Sequence, residues 1–200
     1  LDVKGFDEAS VTEDFATSLK LHQKGWKSKF FNTHGTFGMG PEDLGGYFTQ
    51  QFRWAYGTVS LLKSLIKSAF TAPRSLTASQ WFEYFISSSY YIVAGLAFTL
   101  FAIFPSLYIL FNIPTYFADT KIYAAVALPY ILATFFFFYW VLKKRQYTIR
   151  SLILGQFLII ISAPIFLKAS ISALLGIKTS FKITPKGSAS SLPLHYLLPQ

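Results

Sequence analysis

Three short clusters carry side chains able to do chemistry. Thr12-Glu13-Asp14 sets two carboxylates side by side. The functional reading is that Asp14 serves as a general base: a carboxylate in hydrogen-bond reach of a sugar hydroxyl can take its proton as the oxygen attacks an anomeric carbon, and one such base suffices. Acids at the start of a helix also stabilise it through the macrodipole, by roughly 0.3 to 1 kcal/mol each, so the pair by itself needs no catalytic role. The second cluster is Gln50-Gln51-Phe52-Arg53-Trp54. On a helix, Gln50, Arg53 and Trp54 project from neighbouring parts of one face. A guanidinium forks onto phosphate oxygens and an indole face stacks on a pyranose ring, but Trp and Arg near a membrane surface are equally good anchors. The third, Phe181-Lys182-Ile183-Thr184-Pro185-Lys186, reads in isolation as a juxtamembrane basic linker drawn to anionic lipid. His22 and His34, on a short helix and in a Gly-rich loop with no carboxylate-rich cluster around them, read as surface residues without a role.

The elements that must position these clusters follow from periodicity. Residues 1 to about 44 read as soluble. Ser10-Val11-Thr12-Glu13 offers a capping box, Phe15, Leu19 and Leu21 supply apolar positions, and Gly25 a stop, so a helix is expected from about 13 to 24. Trp26 to Phe31 alternates well enough for a strand or extended segment, and Gly35 to Gly46, with Pro41, reads as a loop. Phe48, Phe52, Tyr56, Val59, Leu62, Ile66 and Phe70 recur every three or four residues, with Lys63 and Lys67 on other faces, which predicts an amphipathic helix on the membrane surface. A linker around Pro73 follows.

Tyr84 to Leu110 is uncharged and long enough to cross a hydrocarbon core of ~30 Å, with Trp81 and Tyr84 as interfacial anchors. A second run, Ile122 to Leu142, ends in Lys143-Lys144-Arg145, which marks a cytoplasmic end. In the third run, Ile149 to Ile177, the residues Gln156, Pro164 and Lys168 leave only Phe157 to Leu167 clean, and both flanks are basic. That predicts an interfacial or re-entrant helix rather than a third crossing.

Composition agrees with a bilayer as part of the solvent. Of 200 residues, 52% are hydrophobic, 22 are Phe and only 14% are charged, more apolar surface than a soluble core needs. Eight of the nine acidic residues lie at or before Glu83, while the basic clusters behind Trp81 flank the apolar runs, so the net charge of +9 suits anionic lipid or a phosphorylated substrate better than nucleic acid. The absence of Cys excludes disulfides and thiolate metal sites. The chain opens at Leu1 without Met and stops at Leu-Pro-Gln inside another apolar segment, and reads as a fragment cut at both ends.

In this order, the clusters resemble the catalytic half of the cellulose-synthase-like, family-2 processive glycosyltransferases, with their Thr-Glu-Asp motif, Gln-x-x-Arg-Trp motif and, after two transmembrane helices, Phe-x-Val-Thr-x-Lys gating loop. Thr12-Glu13-Asp14 and Gln50-x-x-Arg53-Trp54 agree at every fixed position, and Phe181-x-Ile183-Thr184-x-Lys186 departs only by Ile for Val. The resemblance implies a mixed fold: the tail of an α/β, GT-A-like domain over 1–44, amphipathic interface helices over 45–80, and two transmembrane helices over 81–145. An interfacial or re-entrant helix over 146–178, a gating-loop-like segment over 179–192 and the start of a further transmembrane helix over 193–200 complete it.

By position, the resemblance makes Asp14 the base, Glu13 and Trp54 acceptor-binding, and Gln50 and Arg53 ligands of the donor and its pyrophosphate. Phe181, Thr184 and Lys186 become a loop closing over the nucleotide. It further implies a cell-membrane enzyme with its site on the cytoplasmic side, using a nucleotide-sugar, such as a UDP-sugar, and a glycan or lipid acceptor. A divalent metal, Mg2+ or Mn2+, is expected from the family, with its ligands upstream and none in this chain. Single-sugar transfer to a lipid is the nearest rival reading. A transporter subunit is disfavoured because the first two runs hold no intramembrane charge.

Overall fold

The computed structural model describes residues 3, 5–31, 33, 35, 38–115, 119–143, 147–177 and 179. Among these the chain is helical wherever it is regular, and the elements follow the hydrophobic periodicity closely. Helix α1 is Glu13–Gln23, α2 is Leu44–Thr71, α3 is Ala78–Phe111, α4 is Thr120–Lys143 and α5 is Ile149–Leu175, with a 3-10 turn at Pro73–Ser75.

Local chemistry sets the ends. Helix α1 stops in a Schellman arrangement: Gly25, at φ +85°, donates to the His22 carbonyl and Trp26 N–H to that of Leu21. Helix α5 ends the same way, with Gly176 at φ +73° bonded to Ala173 O and Ile177 N–H to Ser172 O. Asp43 caps α2 through its carboxylate, which accepts from Gly46 N–H at 2.6 Å. The expected capping box does not form. Thr12, not Ser10, is the N-cap of α1, its side chain makes no cap bond, and the Ser10 hydroxyl instead bonds the N–H of Thr12 at 3.3 Å.

Of the two readings of Trp26 to Phe31, a strand or an extended segment, the strand does not form. Every residue of that stretch is exposed and no strand exists among the described residues to pair with, so its alternation has neither a face to bury nor a ladder to join. Accordingly, the α/β character expected of residues 1–44 has no strand in the described part.

The described chain forms two compact units, one holding residues up to Ala97 and from Ser162 on, the other Phe98–Ile161. The first contains a small core of Leu19, Leu65, Leu76 and Tyr84, with Phe15, Trp81 and Phe85 packed against it. Leu65 is fully buried, a burial worth roughly 1.5–3 kcal/mol. Tyr84 is therefore a core residue rather than a lipid anchor, and Trp81 is tied by its indole N–H to Pro73 O at 2.9 Å. In the same unit α3 and α5 approach closely at Gly95, where a β-carbon would stand 2.7 Å from Leu167 N, and Tyr91 meets Phe166 edge-on at 5.1 Å.

The second unit turns its apolar side chains outward: α4 buries no residue, and Phe135, Phe136 and Phe137 are all exposed. Helices α3, α4 and α5 are each long and apolar enough to cross a membrane. Helix α5 runs unbroken through Gln156, Pro164 and Lys168 for 27 residues, so its length alone does not keep it from crossing.

Candidate functional site

Glu13 and Asp14 open α1 with both carboxylates exposed. The segment before the helix folds back along it: Asp7 pairs with Lys20 at 2.7 Å and its N–H donates to Thr17 Oγ1 at 2.9 Å. That brace uses Asp7 and leaves Glu13 and Asp14 outside any ion pair among the described residues. The Asp14 carboxylate accepts from the N–H of Phe15 at 2.7 Å, which holds one oxygen at the helix start. A carboxylate in that state is acceptor-only and accessible, as a proton-accepting base must be.

Gln50, Arg53 and Trp54 lie on α2 as the periodicity requires. Gln50 and Arg53 are half-buried, whereas Trp54 keeps 41% of its surface exposed, leaving part of the indole available for stacking. The intervening Gln51 turns inward and is buried. Positions 50, 53, 54 and 57 fall at i, i+3, i+4 and i+7, so Gly57 continues the same face by one turn.

At Gly57, three residues beyond Trp54, the first residue of the acidic cluster packs on α2. A β-carbon there would lie 2.5 Å from Thr12 Cγ2, 2.7 Å from Thr12 Oγ1 and 3.0 Å from Thr12 Cβ, so the Thr12 side chain occupies the space that glycine leaves open. Thr12 is buried, and its hydroxyl has no hydrogen-bond partner among the described residues. The packing of Thr12 on Gly57 thus brings the acidic start of α1 to the helix face bearing Gln50, Arg53 and Trp54.

Two further contacts organise the region. His22, read from the sequence as a surface residue without a role, lies with Nδ1 2.8 Å from the Tyr84 hydroxyl and Nε2 2.9 Å from Ser28 Oγ, joining α1 to the start of α3. Tyr56 stacks on Phe52 and donates its hydroxyl to Ile177 O at 2.9 Å. The sequence places Tyr56 and Tyr84 in apolar runs; the polar use of each hydroxyl depends on a partner 121 and 62 positions away. Gly57 carried one signal, a small residue continuing the Gln50 face. His34, Phe181, Thr184 and Lys186 lie outside the described residues.

No group of three or more His, Cys, Asp and Glu converges to hold a metal among the described residues. Glu13 and Asp14 alone do not supply the donor set that a divalent cation takes from a protein, so the residues described do not fit that group.

Comparison with known proteins gives the family. The family model described as Glycosyl transferase family group 2 matches residues 1–139. A poly-beta-1,6-N-acetyl-D-glucosamine synthase of Staphylococcus aureus (strain COL) is 40% identical over 57 residues, 28% of this chain and 14% of that protein. A protein named as cellulose synthase-like, D6, from Arabidopsis thaliana is 35% identical over 72 residues, 35% of this chain and 7% of that protein. The chain therefore spans a small part of the length of the curated relatives it matches. No solved structure matches it.

Proposed function

The chain belongs to Glycosyl transferase family group 2, and from that premise we propose that it forms the acceptor side of a membrane-embedded, inverting glycosyltransferase that extends a β-linked polysaccharide. The observation that carries this reading is the packing of Thr12 on Gly57, which sets the carboxylate-bearing end of α1 against the face of Gln50, Arg53 and Trp54. In the reaction, the oxygen of an acceptor hydroxyl forms a bond to the anomeric carbon of a nucleotide-sugar, such as a UDP-sugar. Its proton passes to the Asp14 carboxylate, and the bond from that carbon to the pyrophosphate oxygen breaks, so nucleoside diphosphate leaves with the electron pair. Trp54 and Glu13 hold the acceptor end, while Gln50 and Arg53 face the pyrophosphate. No step is assigned to a metal, because the described residues do not build a site for one.

Membrane residence is supported by three helices of spanning length and by the outward-facing aromatic surface of the second unit. We place the site on the cytoplasmic side, the side on which the basic run Lys143-Lys144-Arg145 puts the chain after the second apolar stretch. The bond from Tyr56 to Ile177 puts the end of α5 beside α2, which supports an α5 that starts and finishes on that side rather than a third crossing. Phe181, Thr184 and Lys186 follow within ten residues of Ile177 and are assigned to a loop over the nucleotide by their match to the family motif.

Because the relatives are named for two different polymers, the test takes a panel of labelled nucleotide-sugars. Membranes carrying the full-length protein should incorporate one of them into long polymer, and the Asp14→Asn variant, equally abundant, should lose roughly 10²-fold or more of that rate. Unchanged activity in the variant rejects Asp14 as the base. Products of one added sugar on a lipid would favour single transfer over polymerisation.

A further inference from the structure

We propose that Tyr56 is a positioning residue whose hydroxyl ties the C-terminal end of α5 to the helix bearing Gln50, Arg53 and Trp54, and so fixes where the chain leaves α5 relative to that face. The proposal rests on the glycosyltransferase reading and adds to it a residue that none of the three motifs contains.

Both partners of the bond are held. The Tyr56 ring stacks on Phe52 one turn earlier, with centroids 6.3 Å apart and planes 12° from parallel, so the phenol is aimed before it meets anything else. Its hydroxyl donates to Ile177 O at 2.9 Å. Ile177 is the residue whose own N–H closes the cap of α5 on Ser172 O, with Gly176 in the left-handed conformation at φ +73°, so the acceptor carbonyl is fixed to the helix frame. A hydrogen bond between two such anchored groups sets a distance between α2 and α5 that apolar contact alone does not, because hydrophobic packing is non-directional.

The bond is also exposed, so it contributes little to stability and its removal should leave the fold intact. Phenylalanine at 56 preserves the stacking on Phe52 and removes only the tether. Tyr56 stands two residues from Trp54 and next to Gly57, so a shift in the α5 end is felt at the reacting face, where small misplacements cost rate steeply.

The test uses the full-length protein in membranes. Tyr56→Phe should keep the abundance and thermal stability of the unaltered protein but lower kcat for sugar incorporation roughly five- to tenfold with little change in donor KM. A Tyr56→Cys/Ile177→Cys pair, bridged by a short bis-methanethiosulfonate reagent about the length of a tyrosine side chain, should cross-link in high yield in a region that has no native Cys. Bridging should restore the rate lost in Tyr56→Cys, and reduction should remove it again. An unaltered kcat in Tyr56→Phe overturns the proposal, as does a pair that does not cross-link or a bridge that restores nothing. If the unaltered protein incorporates no sugar from any donor, the glycosyltransferase reading fails by itself, and cross-linking yield, which needs no activity, still decides whether the tether exists.

Discussion

The Thr12 methyl stands where a side chain on residue 57 would have to be: a β-carbon built on Gly57 comes within 2.5 Å of Thr12 Cγ2. Real side chains do not approach so closely, and both residues are buried, so one of the two helices would have to move. Gly57→Ala is therefore expected to destabilise the protein by about 1–3 kcal/mol and to cut sugar incorporation more than its stability loss explains. Thr12→Ala combined with Gly57→Ala removes both of the nearest atoms, and because the Thr12 hydroxyl makes no bond it should recover the thermal stability. Melting temperatures of the single and double variants check this.

Trp54 separates stability from function. With 41% of its surface exposed, Trp54→Ala should cost stability only about 1 kcal/mol, while the loss of a stacking face shortens the product or stops it. Trp54→Phe should keep most of the polymer length. Sizing of labelled product on a gel, at matched protein levels, reads the difference.

Arg53→Lys keeps the charge and loses the fork. If Arg53 grips pyrophosphate, the donor KM should rise roughly tenfold with a smaller change in kcat, because a lysine offers a point charge in place of two parallel bonds. Initial rates against donor concentration check it, and an unchanged KM would take Arg53 off the donor.

The α3–α5 contact should tolerate no side chain. At Gly95 the neighbour 2.7 Å from a β-carbon is the backbone nitrogen of Leu167, which cannot swing aside as a side-chain end can. Gly95→Val should abolish folded protein in the membrane, whereas Gly155→Ala, with nothing within 4 Å, should leave its level unchanged. Protease resistance of the two variants in membranes distinguishes them.

Leu65 anchors the core that joins α1, α2 and the start of α3. Fully buried against Leu19, Leu76 and Tyr84, its replacement by Ala leaves a cavity expected to cost 2–5 kcal/mol. Tyr84→Phe keeps the packing, loses the bond to His22, and should cost about 1 kcal/mol. Thermal unfolding of both variants gives the ratio.

The five helices among the described residues were legible in the sequence because they depend on local terms: the apolar period of α2, the uncharged length of α3 and α4, and Gly25 after α1. The capping box misled because the Thr12 side chain, which holds the N-cap position, is packed on Gly57 and makes no cap bond, while the Ser10 hydroxyl lies against the N–H of Thr12. Trp26 to Phe31 left strand and extended segment open, and the strand does not form because alternation makes a strand only where a neighbouring strand and a buried face exist.

The sequence by itself determined the chemistry available to this chain, a carboxylate pair, an Arg-Trp face and three apolar helices, since these rest on residue type and spacing along one segment. Only the tertiary structure decided which of them meet. The contact of Thr12 with Gly57, the link of His22 to Tyr84 and the bond from Tyr56 to Ile177 join positions 45, 62 and 121 residues apart. No local preference encodes such pairs: burial of the Leu19, Leu65 and Tyr84 cluster holds α1, α2 and the start of α3 together, and the close approach at Gly95 and Leu167 holds α5 to α3, so that a missing β-carbon or a well-aimed hydroxyl finds its partner.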